Sequence, residues 1–71
     1  MDKVYSNIKL RRKALGLSQE DLAKKVGYTD RSSIAKIETG AVDISLGTLK
    51  KLASALDTTV IELLGYLWKE E

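Results

Sequence analysis

Among its 71 residues the chain has no cysteine, no histidine and no proline. Each absence removes a class of chemistry. Without cysteine there are no disulfides, and without cysteine and histidine together the usual zinc ligands are missing, so no metal site is expected. The same gap leaves nucleophile and base chemistry to serine, lysine and the carboxylates. Those already have structural work, since Ser18, Asp30, Ser45 and Thr59 stand where helices need acceptors at their starts. Gly16, Gly27, Gly40, Gly47 and Gly65 are dispersed, so no phosphate-cradling loop and no nucleotide cofactor follows from them. Enzyme is the class least supported. No apolar run approaches the length of a membrane span, and MDKVYSNIKL lacks the apolar stretch of a signal peptide, which leads to the expectation of a cytoplasmic protein.

What the chain does have is charge, unevenly placed. Residues 1–36 carry nine Lys/Arg against four Asp/Glu, a net +5, whereas residues 37–71 carry three against six, a net −3. A basic half attracts a polyanion in a salt-dependent way. The length allows one domain with a small core, so near-ideal helix packing or a partner subunit is expected.

Periodicity and punctuation predict five helices and no strand. The first runs from about Lys3 to Leu15 with Val4, Ile8 and Leu15 inward, and stops at Gly16. The second spans about Gln19 to Val26 and the third about Arg31 to Glu38, ending near Gly40. After a loop from Thr39 to Ile44, Ser45 caps a fourth helix with Leu46, Leu49, Leu52, Ala53 and Leu56 in one apolar stripe. Asp57 stands where a glycine stop is usual. Thr59 and Glu62 form a capping box for a fifth helix carrying Val60, Leu63, Leu64 and Leu67. The fold class expected is all-α, a compact five-helix bundle.

Leu17 to Glu38, LSQEDLAKKVGYTDRSSIAKIE, is the most informative stretch. Ser18 with Asp21 starts a short helix whose Leu22, Ala23 and Val26 share one face, Gly27 closes it, and Asp30 caps the next. In that next helix Ile34 and Ile37 make an apolar stripe too narrow for burial all round. The opposite face carries Arg31, Ser32, Ala35 and Lys36, donors and small groups suited to base edges and phosphates in a DNA major groove. Arg31 offers a planar fork for guanine, Lys36 a point donor, and Ala35 a contact for a thymine methyl. Ser33, nearer the inner face, ranks below them. Any small helical bundle can show amphipathic helices, but small Ala23 at a helix crossing and Gly27 at the turn suit one geometry, a helix-turn-helix at about residues 19–38.

These residues resemble the Xre, or phage repressor and Cro-like, helix-turn-helix family. The resemblance is carried by Gly16-Leu17-Ser18-Gln19, Leu22-Ala23, Ile34-Ala35-Lys36-Ile37-Glu38-Thr39-Gly40, Leu49 to Leu56, and Thr59 to Leu64. It implies a phage-repressor-like DNA-binding domain over residues 1–65, followed by a tail at residues 66–71. It also implies that Gln19 contacts a phosphate, that Thr39 and Gly40 meet the DNA backbone on the other side, and that Arg12 and Glu38 form a buried or half-buried ion pair. Two features depart from the family pattern. The turn Gly27-Tyr28-Thr29-Asp30 looks one residue longer than the commonest form, which offers Tyr28 and Thr29 to a phosphate. Ala41-Val42-Asp43-Ile44 replaces the basic and proline-containing segment of many relatives. In the tail, Tyr66, Leu67 and Trp68 leave three roles open: folding back on the core, a dimer contact, or a lead into a further domain.

The reading that follows is a sequence-specific repressor or regulator of transcription, a homodimer on a palindromic stretch of double-stranded DNA. Two others stay open. One is an antitoxin that binds a toxin partner and its own promoter; the other is a protein-interaction module without DNA binding.

Overall fold

A computed structural model describes residues 2–65 as five helices in chain order: α1 Asp2–Ala14, α2 Gln19–Val26, α3 Arg31–Glu38, α4 Leu46–Ala55 and α5 Val60–Leu64. Among these residues there is no strand, and no helix is long and apolar enough to cross a membrane. Tyr66, Leu67 and Trp68 lie outside the described residues.

The core is assembled from one stripe of each helix: Val4 and Ile8 of α1, Leu22 and Ala23 of α2, Ile34 and Ile37 of α3, Leu49, Leu52 and Ala53 of α4 with Leu56 at its end, and Leu63 of α5. Two expected members are missing. Leu15 is 41% exposed and Leu46 60% exposed. Leu15 has the right spacing from Ile8, but α1 ends at Ala14 and the chain turns away toward Gly16 before Leu15 can face inward. Leu46 is the first residue of α4, so its side of the stripe overhangs the core rather than meeting another helix.

Helices α2 to α5 each start where a side chain takes an orphan N–H group. Ser18 and Asp21 form a full capping box, with both bonds at 2.9 Å. Asp30 accepts from the Ser32 N–H at 3.0 Å, and Ser45 from the Thr48 N–H at 3.1 Å. The box expected of Thr59 and Glu62 forms in one direction. Thr59 accepts from the Glu62 N–H, while the Glu62 carboxylate takes the Thr58 hydroxyl instead. At the α4 stop Asp57 adopts φ +56, the left-handed conformation usually left to glycine. Arg11 steadies that stop by donating from Nε to the Leu56 carbonyl at 2.9 Å and from Nη2 to the Asp57 carbonyl at 2.8 Å. A cation at a helix C-terminus also complements the helix dipole.

Val4, Ile8 and Arg12 repeat every four residues, so the inner stripe of α1 continues into a cation. A charge there requires a partner. Glu38, the last residue of α3, supplies it: Arg12 Nε donates to Oε2 at 2.6 Å and Nη2 to Oε1 at 3.2 Å, with both side chains under one-tenth exposed. Arg12 Nη1 also donates to the Leu17 carbonyl at 2.7 Å, which ties the loop before α2 to the same group.

Two outcomes follow for stability. Glu38→Ala leaves Arg12 as a buried, unpaired cation and lowers unfolding free energy by about 3 kcal/mol, whereas Arg12→Met with Glu38→Leu recovers most of it. Urea unfolding of the three proteins checks this; a Glu38→Ala loss below about 1 kcal/mol is the value for a solvated pair and contradicts it. The second outcome concerns acid. Asp21 is held below the usual carboxylate range chiefly by the Ser18 N–H, Asp30 by the Ser32 N–H and Glu62 by the Thr58 hydroxyl. Because the folded values are the lower ones, these groups favour folding above about pH 4, and the contribution is lost as pH falls through the folded values. With no histidine to titrate, the melting temperature stays level between about pH 5 and 8 and declines below about pH 4. Asp30→Asn, which still caps, makes that decline shallower.

Candidate nucleic-acid interface

The α2–turn–α3 unit is fixed by backbone chemistry at its bend. Gly27 takes φ +87, its N–H donates to the Lys24 carbonyl at 3.2 Å, and the Tyr28 N–H donates to the Ala23 carbonyl at 2.8 Å. This pair of bonds ends α2 and reverses the chain. A side chain at residue 27 would be strained by that φ value alone. Ala23 is buried where α2 meets α3, and its small size permits the close crossing.

The bend decides which face of α3 looks outward. Ile34, Ile37 and Glu38 are buried, so the residues on the far side are presented to solvent. Ser32, Ala35, Lys36 and Thr39 follow the i, i+3, i+4, i+7 spacing of a single helical stripe. Ser32, Lys36 and Thr39 are exposed and Ala35 half-buried. Arg31 is exposed at the start of this stripe, whereas Ser33 is half-buried at its other edge. Beside Ser33 and Lys36 a shallow hollow is completed by Tyr28, Val42, Asp43 and Thr48.

Around this stripe the remaining positions singled out in the sequence divide by what holds them. Thr29 is exposed and Tyr28 half-buried in the bend, where both line a second hollow with Lys24 and Arg31. The Thr39 hydroxyl donates to the Lys36 carbonyl at 3.1 Å. Gly40, at φ +75, lies over the Tyr5 ring so closely that an added Cβ would meet it at 3.3 Å. Its place is therefore set by packing against α1. Gln19 is half-buried, and its Nε2 donates to Glu38 Oε1 at 3.1 Å. That bond is not legible from residue type, because glutamine at the start of a helix gives no sign of the carboxylate lying 19 residues further along the chain.

The acidic groups near the face compensate its cations only in part. Asp21 and Asp30 stay ionised, each giving one oxygen to the helix N-terminus it caps, and Asp30 also feels the charges of Lys36 and Arg31. Glu20 approaches Lys24 only at 3.8 Å with both side chains exposed, a pairing of little strength. Arg31 and Lys36 have no ion-pair partner among the described residues. A convex, donor-rich helix with free cations matches the width of a DNA major groove and its acceptors.

The helix-turn-helix family pattern matches residues 8–63. Among solved structures, the chain is 43% identical to the restriction-modification controller protein C.AhdI from Aeromonas hydrophila, with a TM-score of 0.80 over 86% of this chain and 91% of that one. It is 34% identical to the hypothetical transcription factor NHTF from Neisseria, with a TM-score of 0.80 over 89% of this chain and 72% of that one. It is also 34% identical to SinR, a master regulator for biofilm formation solved in complex with DNA, with a TM-score of 0.77 over 86% and 97% of the two chains. No curated protein sequence matches. The buried arginine–glutamate pair, the glycine bend and the outward stripe of α3 thus sit within a pattern covering most of the chain, and the chain belongs to the Xre and Cro-like helix-turn-helix family of DNA-binding regulators.

Proposed function

We propose that this protein is a sequence-specific transcriptional repressor that binds a palindromic operator as a homodimer, with α3 of each subunit in the major groove. The observation that carries the reading is the outward stripe of α3, with exposed Arg31, Ser32 and Lys36 beside Ala35 and free of ion pairing among the described residues. In that placement the N-terminal end of α3 leads into the groove. Arg31 is the bidentate partner of a guanine, Ser32 and Lys36 donate to neighbouring base edges, and Ala35 contacts a thymine methyl. Ser33 contributes from the edge. Phosphates flank the groove, met by Gln19 and the free N–H groups at the start of α2 on one side, by Tyr28 and Thr29 at the bend, and by Thr39 and Gly40 beyond α3.

Dimerisation follows from information content. One eight-residue helix touches too few base pairs to find a site in a genome, and a two-fold pair reads half-sites about one helical turn apart. The similarity to a restriction-modification controller and to a biofilm regulator solved with DNA supports a role in gene control.

Selection of bound sequences from random duplex DNA tests the reading directly, and it is expected to return a palindrome. Failure to enrich any sequence at low salt refutes it. On the selected duplex Arg31→Ala weakens binding by about 1–3 kcal/mol and relaxes the choice at one base position, while affinity for random DNA changes little. Equal losses on both would make Arg31 a phosphate contact. A half-site bound as tightly as the full palindrome would remove the dimer.

A further inference from the structure

We propose that Glu38, a buried residue remote from the bases in the reading above, is a positioning residue for DNA binding: through the Gln19 amide it sets where α2 grips the phosphate backbone relative to α3. The inference rests on that reading and adds to it a second function for the ion pair.

Glu38 Oε1 accepts two hydrogen bonds, one from Arg12 Nη2 at 3.2 Å and one from Gln19 Nε2 at 3.1 Å. A carboxylate only accepts, so it dictates which way the amide turns: NH2 toward Glu38 and carbonyl away. One N–H of that NH2 is used. The other lies in the amide plane on a half-buried side chain at the mouth of α2, where the N–H groups of Gln19 and Glu20 are also free of the cap that takes those of Asp21 and Leu22. The buried charge does not repel a phosphate, because Arg12 neutralises it at 2.6 Å. Arg12 Nη1 holds the Leu17 carbonyl at 2.7 Å, two residues before Gln19. The entrance to α2 is therefore held from its side chain and from its backbone by one ion pair whose acid ends α3. A fixed distance between the phosphate grip and the base-reading helix lets both engage without either being reordered on binding.

The experiment separates positioning from folding. The duplex selected by the wild-type protein is titrated at several salt concentrations with Arg12→Met/Glu38→Leu, which removes the pair without stranding a charge, with Gln19→Met, which keeps the pair, and with the triple variant. The first two are each expected to bind about tenfold more weakly, on the selected and on random duplex alike, with the slope of log K against log salt unchanged because neither removes a net charge. The triple variant is expected to be no weaker than the double one. Losses that multiply in the triple variant, or a cooperatively folded double variant with unchanged affinity, overturn the inference. A loss in the double variant that tracks its unfolded fraction, with Gln19→Met binding like the wild type, also overturns it, since that is what a purely structural pair would give. If the double variant does not fold, the wild-type protein still decides: the Gln19 side-chain amide is expected to exchange slowly in free protein, and exchange at the solvent rate overturns the inference. A wild-type protein that selects no duplex overturns the proposed function itself, whereas one that binds normally while Gln19→Met has no effect overturns this inference alone.

Discussion

The contact on which the architecture depends is the ion pair between Arg12 and Glu38. It joins the inner stripe of α1 to the end of α3 and reaches the loop at Leu17 and the start of α2 at Gln19. Burial of two charges carries a desolvation cost that mutual attraction only offsets, so the pair contributes little net stability. What it supplies is definition. An apolar substitute could hold α1 against α3 at several rotations, but a two-bond guanidinium–carboxylate contact is satisfied at one. The two short helices of the bend thereby keep a single mutual orientation despite a small core.

The second organising feature is a division between carboxylates that end or begin helices and cations that face outward. Asp21 and Asp30 act within their own helix starts, and Glu38 is internal. Two of the acids in the basic half are thereby committed to backbone groups, while Arg31 and Lys36 form no ion pair among the described residues. Net charge over the whole chain, only +2, conceals this. Position, not total, makes the face attractive to a polyanion.

Much of the fold was legible in the sequence because its punctuation is local. Ser18, Asp30, Ser45 and Thr59 each act on an N–H two or three residues away, and Asp57 takes a backbone conformation that its own short side chain tolerates. The core stripes followed from periodicity where a helix continues on both sides. They failed at helix ends: Leu15 falls past the end of α1 and Leu46 opens α4, and spacing alone does not say where neighbouring helices stop. At the candidate interface, the outward stripe of α3 could be read because Ile34 and Ile37 define its opposite. The bond from Gln19 to Glu38 could not be. It depends on how closely α2 and α3 approach, a property of tertiary packing that leaves no mark on residue type.

Arg11 and Arg12 are adjacent in the chain yet serve different parts of the molecule, one closing the end of α4 and the other holding the end of α3. Successive side chains on a helix diverge by about 100°, so α1 grips two elements at once. Both bonds span long stretches, 45 residues for Arg11 to Leu56 and 26 for Arg12 to Glu38. On the ribosome α1 emerges before both of these elements, at a pace of about 5–20 residues per second. Its partners come out later. The anchoring of α1 thus comes in two steps during synthesis: Glu38 arrives with the end of α3 and orients the reading head, and the Leu56 and Asp57 carbonyls arrive later with the end of α4.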